Sequence, residues 1–208
     1  MQPTKTLPED YTLHRTLDFS MNRPLQYALQ GAALTMFFLF GTLFIFIAMS
    51  VRPDFSPWDL LRAAQERIRF LLSLLGLTYL MVFLHEAVHG LFFWLFTREW
   101  PLFGLKRSYA YAAAPAWYLP RGPMLVTGLA PLLLLTVAGL LLMLFLPVGW
   151  LPALLLVITL NAAGAVGDLV TAVLLLREPA TVLANDQGDV MRLYRNGKGK
   201  VKGHQVGP

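Results

Sequence analysis

The sequence predicts an all-α integral membrane protein of about four transmembrane helices. A short hairpin or re-entrant loop lies between the second and third, and a small polar tail ends the chain. Three observations predict this. Hydrophobic residues make up 56% of the 208 residues and charged residues only 14%, against about 25% charged in a soluble domain. Long charge-free runs alternate with short basic segments, as expected of a chain whose solvent is a bilayer. Four of the runs reach the ~20 apolar residues that cross the hydrocarbon as a helix.

Residues 1–23 are polar and of mixed charge and form a cytoplasmic N-terminal segment. The first span, Leu25 to Ser50, is charge-free and rich in Phe, Leu and Ile. It is longer than the apolar core of a signal peptide and no small-residue cleavage site follows it, so it reads as a retained helix. Ser56-Pro57-Trp58-Asp59 is a helix start, with Ser as cap, Pro in the first turn and an acid after it. Residues 51 to 69 therefore form a largely helical lead-in to the second span, Phe70 to Phe96, which is apolar apart from a His-Glu-His cluster.

From Arg98 to Gly122 the prolines and glycines argue against a continuous helix. The aromatics Tyr109, Tyr111, Trp117 and Tyr118 suit a hairpin or re-entrant loop at headgroup level, or an ordinary interfacial belt. Met124 to Val148 is nearly pure Leu, Val and Ala, and Trp150 to Leu176 is apolar apart from Asn161, Asp168 and a few Thr. Almost nothing separates these last two spans, so they form a tight helical hairpin. The membrane domain thus covers 24–178. In the cytoplasmic tail, 179–208, Val182-Leu183 and Val190 to Tyr194 flank Asn185-Asp186-Gln187-Gly188 as a small β-hairpin. The Gly- and Lys-rich last dozen residues are expected to be disordered.

The formal net charge of +5 raises nucleic acid as a partner, but the cations flank apolar spans and no nucleic-acid motif is present, so anionic lipid headgroups account for them. With both termini inside, the inner side carries 13 Lys and Arg and the outer side 4, which favours cytoplasmic termini in a multi-pass cell-membrane protein. The chain contains no cysteine. A disulfide framework is excluded, and a metal site must use His and carboxylate ligands.

The second span carries His85-Glu86-Ala87-Val88-His89. On a helix, residues four apart share a face, so both imidazoles can hold one ion. Glu86 borders that face, placed to take a proton from water activated at the ion without being a ligand. The motif arises by chance in about one chain in a hundred of this length. Three ionisable groups inside an apolar span are costly and are by default functional. A catalytic zinc needs a third protein ligand, and the only other intramembrane acid is Asp168. At 1.5 Å per residue, His85 lies roughly 22 Å along its helix from Phe70 and Asp168 roughly 25 Å from Leu151, so the two reach a similar depth. His14 and His204, in the terminal segments, are poor candidates. Asn161, Gly164 and Asp168 share one helix face; Gly164 is expected to let a neighbour approach closely, and Asn161 either bonds a substrate or water or makes an interhelical hydrogen bond.

These residues carry a resemblance. The His85-Glu86-x-x-His89 helix, the loop with Tyr109-Ala110-Tyr111 and Pro115, the Asn161-x-x-Gly164-x-x-Gly167-Asp168 helix and the short polar tail together resemble the site-2-protease-like zincin peptidases, small bacterial membrane proteins. Gly164 stands roughly where that family usually has Pro, and Leu169 follows the Asp where the family has Gly. The resemblance covers roughly residues 70 to 195 and implies zinc held by His85, His89 and Asp168, with Glu86 as base. The expected function is zinc-dependent intramembrane hydrolysis of membrane-protein or peptide substrates, with the 98–122 loop offering a strand edge to hold them extended. Two other readings stand beside it: a non-catalytic zinc-binding membrane protein that binds a partner, and an ion or metal transporter. The transporter reading is weakened because the first span has no polar counterpart to the second.

Overall fold

The structure is a computed structural model that describes residues 1–18, 23–65, 67–106, 110–188 and 190–197. Tyr109, His204 and the expected disorder of the last dozen residues, save Gly197, lie outside them. In chain order the elements are β1 (Tyr11–Asp18), α1 (Arg23–Val51), α2 (Pro57–Gln65), α3 (Arg67–Thr97), β2 (Leu102–Leu105), β3 (Ala110–Ala113), β4 (Leu119–Pro120), α4 (Arg121–Met143), α5 (Leu151–Gly164), α6 (Val166–Leu176), β5 (Leu183–Asp186) and β6 (Val190–Asn196).

Among the described residues, three helices are long and apolar enough to cross a membrane: α1, α3 from Leu71, and α4. Their outward faces display Phe38, Leu39, Tyr79, Phe83, Val137 and Leu141 to the surroundings, an apolar surface that water would penalise and hydrocarbon would not. The expected fourth span is not one straight helix. Val148–Gly164 and Val166–Leu176 meet at a 40° bend, so Asn161 and Asp168 sit on two segments, and both side chains are directed at His85. The lead-in to α3 is helical as expected. Its start is a capping box in which the Trp58 N–H donates to Ser56 Oγ and the Ser56 N–H to the Asp59 carboxylate.

An all-α fold is the expectation that fails. An antiparallel four-stranded sheet, ordered β1-β6-β5-β4, lies at the end of the bundle where α1 and α4 begin and α6 ends. The tail hairpin is present, with Leu183 opposite Tyr194 and Asp186 opposite Met191. Its turn passes through Gly188 at φ +92°, a conformation that favours glycine. The unexpected partner is β1, which pairs along its length with β6. β6 is the second strand of the expected tail hairpin, but nothing in either segment names the other as a mate, because about 170 to 185 residues separate them. Between α3 and α4 the chain makes the two-stranded hairpin β2–β3 and then β4, which pairs with β5.

Arginines tie both ends of the bundle. At the far end Arg52 donates to the Met143 and Leu146 carbonyls at 2.7 and 2.6 Å and pairs with Asp54, satisfying the orphan carbonyls that end α4. At the sheet end Arg121 donates to the Glu178 carbonyl at 2.6 Å, and the buried Glu178 carboxylate pairs with Arg195 of β6. Asn185 of β5 donates to the Pro115 and Trp117 carbonyls. Sheet, loop and helix ends thus form one block.

Close helix approach does not occur at Gly164, where an added Cβ would meet only Met81 Cε at 3.9 Å. It occurs at Gly139 of α4, where a Cβ would lie 2.2 Å from Ile158 Cγ2 of α5. Gly139→Ala should therefore destabilise the fold by about 1–3 kcal/mol through overpacking. Gly31→Ala, which meets nothing within 4 Å, should be neutral or slightly stabilising. Thermal unfolding in detergent of the two variants checks this; equal melting temperatures would refute the tight α4–α5 contact.

Candidate metal centre

The site is assembled from helices α3 to α6, the β2–β3 hairpin and the β5–β6 turn. His85, Glu86 and His89 lie on consecutive turns of α3, with the two imidazole centroids 4.9 Å apart. Asp168 sits in the first turn of α6, just past the bend, and its carboxylate spans both rings: Oδ2 is 3.1 Å from His85 Nε2 and Oδ1 is 3.4 Å from His89 Nε2. One ligand atom from each of the three residues falls within 4.8 Å of the others. Both histidines are buried. His14 is instead in β1, 3.9 Å from Glu178.

The other ring nitrogens are engaged. His85 Nδ1 is 3.0 Å from Asn161 Oδ1 and His89 Nδ1 is 2.9 Å from the Thr127 carbonyl. Asn161 orientation follows from its own partners: Nδ2 donates to the Pro131 and Leu132 carbonyls and to Thr136 Oγ1, and carbonyls only accept. Asn161 is therefore an interhelical tie that also orients His85. The Thr127 carbonyl is free to accept because the residue four ahead, Pro131, has no N–H to fill that helical bond. Sequence reasoning missed this pair. The signal was present as a proline inside an otherwise unbroken apolar helix.

With both Nδ1–H groups donating to oxygen, neutral imidazoles turn their Nε2 lone pairs toward the Asp168 carboxylate. Positive charge between these groups offsets the facing lone pairs at this range, and either a metal ion or a proton on Nε2 supplies it. A tetrahedral zinc about 2.0–2.1 Å from nitrogen and oxygen ligands would hold donor atoms about 3.3 Å apart, which the 3.1 and 3.4 Å separations match. The donor set fits the metal.

Glu86 stands outside the three-residue cluster and lines the same cavity, about 610 Å³ in volume. Its carboxylate faces the backbone N–H of Ala112 in β3. The hairpin can lie this close because α3 has Gly90 where a Cβ would fall 2.3 Å from the Phe103 ring. Tyr111 is packed between Gly104 and Gly188, at either of which a Cβ would meet its ring within 2.5 Å. The β5–β6 turn thereby reaches the cavity, and Asp186 lines it, a residue assigned to the tail turn from sequence alone.

A sequence profile of the family described as "Putative zincin peptidase" matches residues 78–183. The chain belongs to that family. The matched segment holds His85, Glu86, His89, Thr127, Asn161 and Asp168, so every group of the site just described except those of the β5–β6 turn falls within it. Membership in a zincin family implies zinc as the ion. No curated protein and no solved structure matches the chain.

Loss of the imidazole orienters should weaken the ion. Asn161→Leu and Pro131→Ala, the second restoring an N–H that competes for the Thr127 carbonyl, should each lower zinc affinity about 10- to 100-fold. Competition with a chromophoric chelator measures this, and unchanged affinity in both variants would remove these groups from the site.

Asp186 gives a pH dependence. Burial pushes its carboxyl up to about 7; the Gly188 N–H and His89 oppose the rise, and Asp168 and Glu86 add to it. The folded protein therefore retains a proton that the unfolded chain releases near pH 4, so this contribution to stability is full below about pH 4 and is lost as pH rises through about 7. Metal-free protein should lose stability across that window, and Asp186→Asn should flatten the profile in unfolding measurements.

Proposed function

We propose that this protein is a zinc-dependent intramembrane endopeptidase of the site-2-protease type, hydrolysing peptide bonds of membrane-associated substrates. The observation that carries the reading is the His85–Asp168–His89 cluster with Glu86 beside it in one cavity between apolar helices. Membership in a zincin peptidase family supports the reaction class.

His85, His89 and Asp168 would hold the ion, and Asn161 and the Thr127 carbonyl keep both Nε2 atoms aimed at it. Bound zinc would polarise the scissile carbonyl and bring the pKa of water to about 7. Glu86 accepts the proton from the attacking water and returns it to the leaving amine. The Ala112 N–H, facing the Glu86 carboxylate, holds that side chain toward the reaction. Because this N–H points into the cavity, the edge of β3 turned away from β2 is directed there too. An extended peptide can add to that edge by backbone hydrogen bonds. A membrane segment must unwind before its amides are available to water or to a strand, and the edge gives the unwound backbone new partners.

In this reading α1, α3, α4 and the bent α5–α6 pair are four spans of a multi-pass cell-membrane protein. Both termini and the sheet are cytoplasmic, on the side favoured by Lys and Arg. The partners are the bilayer and a membrane-protein or peptide substrate. The hairpin and the cavity lie nearer that face.

Glu86→Gln should keep zinc and lose hydrolysis by at least about 10²-fold, since the residue moves protons and holds no metal. Asp168→Ala should lose zinc while remaining inserted. Metal analysis beside cleavage of co-expressed membrane proteins separates the two, and a Glu86→Gln protein as active as wild type would overturn the mechanism. Reporter fusions at residue 208 and within 51–69 should report cytoplasm and periplasm respectively; the reverse pattern would invert the topology.

A further inference from the structure

One carboxylate on the cavity wall belongs neither to the metal cluster nor to the proton transfer of Glu86. The half-buried Asp186, last residue of β5, lines the cavity that holds His85, His89 and Asp168, yet it lies outside the three-residue cluster. Its Oδ1 accepts the Gly188 N–H at 2.8 Å, and Oδ2 has no hydrogen-bond partner among the described residues. The charges of His89, Asp168 and Glu86 reach it. Among the described residues, no Lys or Arg lines the cavity. The two charges of a bound zinc would be matched by Asp168 and Glu86, which leaves Asp186 as an anion without a counter-ion. An anion so placed is costly until a positive group joins it.

The hairpin beside it fixes the direction from which that group would come. Across β2–β3, Phe103 stands opposite Ala112 and Gly104 opposite Tyr111. The Phe103 ring packs on Gly90 of α3, whereas the Tyr111 ring lies against Gly104 and Gly188. One face of the hairpin therefore rests on α3, and the other meets the turn that carries Asp186. Side chains alternate between the two faces along a strand, and residues directly opposite each other share a face. A peptide laid on the free edge of β3 would turn the side chain beside Tyr111 toward Asp186. The residues before and after it would turn toward α3, where Glu86 and two of the metal-cluster residues stand.

We infer that Asp186 is a specificity-determining residue of this site and binds the ammonium or guanidinium group of a Lys or Arg side chain next to the scissile bond. This rests on the peptidase reading above. Charge selects the occupant. An ionised carboxylate only accepts hydrogen bonds, and a cationic donor makes a stronger bond to it than a neutral one. An acidic side chain would bring a further negative charge into a cavity already lined by Glu86, Asp168 and Asp186. Membrane-associated substrates carry the required residue, because Lys and Arg gather at the cytoplasmic ends of apolar spans, the end at which this reading places the cavity. Asp186 lies beyond the family-matched segment, 78–183, so the preference is not one that family membership supplies.

Binding without turnover gives the test. Zinc-loaded Glu86→Gln protein in detergent is titrated with short fluorescent peptides, acetylated, amidated and apolar except for one central Lys, Arg, norleucine or Glu. The titration is run at about pH 8, where Asp186, whose carboxyl burial pushes up to about 7, is ionised. The Lys and Arg peptides should bind at least about ten-fold more tightly than the norleucine peptide, and the Glu peptide more weakly than all of them. Adding Asp186→Asn, which keeps an acceptor for the Gly188 N–H, should erase the preference at unchanged zinc content. Asp186→Lys should reverse it in favour of Glu. A Lys peptide that binds no better than norleucine, or a preference that survives Asp186→Asn, would overturn the inference. So would tight binding only of peptides with a free α-amine, which would make the terminal amine the ligand. In the active enzyme, cleavage of the norleucine peptide as fast as the Lys peptide would discard the role of Asp186 and leave the peptidase reading intact. Asp186-dependent binding of a Lys peptide that the active enzyme never cuts would keep the subsite and discard the peptidase reading.

Discussion

A carboxylate between two imidazoles inside an apolar bundle is a costly arrangement, and the rest of the structure is organised around making it stable. Asp168 reaches both His85 and His89 from the first turn of α6, just past the 40° bend between α5 and α6. The negative charge and the two ring nitrogens are then mutually compensating once a cation lies among them. Without one, a proton on a ring nitrogen has to supply the compensating charge in a surrounding that offers little solvation. Folding of the inner bundle and binding of the ion are for this reason physically coupled.

The same constraint explains features that look unrelated along the chain. Pro131 leaves the Thr127 carbonyl without its helical partner, a defect that would be unfavourable in hydrocarbon; the His89 Nδ1–H repairs it at 2.9 Å and is itself oriented in return. Asn161 plays the equivalent part for His85 while satisfying its amide on the α4 backbone. The outer nitrogens of both rings thus have oxygen partners at 3.0 and 2.9 Å, which leaves the inner nitrogens turned toward Asp168.

The sheet extends this logic to the end of the bundle where α1 and α4 begin. Glu178, Arg195 and Arg121 fasten α6, β6 and the start of α4 to one another, which sets the height of the β5–β6 turn. Tyr111 then locks that turn to the β2–β3 hairpin through contacts available only because residues 104 and 188 are glycine. Gly90 lets the hairpin settle onto α3. The result is one cavity lined by the His85, His89 and Asp168 cluster on the helices and by Ala110, Tyr111 and Ala112 of β3.

The sequence by itself determined the positions of apolar stretches long enough to cross a membrane, the helical lead-in at Ser56, the tail hairpin and the motif on α3. Each rests on local pattern: runs of apolar residues, a capping signal, a glycine turn, or the i, i+4 spacing of His85 and His89. It also singled out Asp168 as a partner, since few ionisable residues lie in apolar stretches and their depth can be counted. The tertiary structure alone decided the rest. The pairing of β1 with β6 joins segments at opposite ends of the chain, and neither carries a signal strong enough to name its mate. The bend at Gly164–Ala165, the use of Thr127 as an acceptor and the approach of Ala112 to Glu86 all depend on which helix faces which. Apolar helices look alike from every side in a one-dimensional pattern, so their facing is settled by packing and by the need of each buried polar group for a partner.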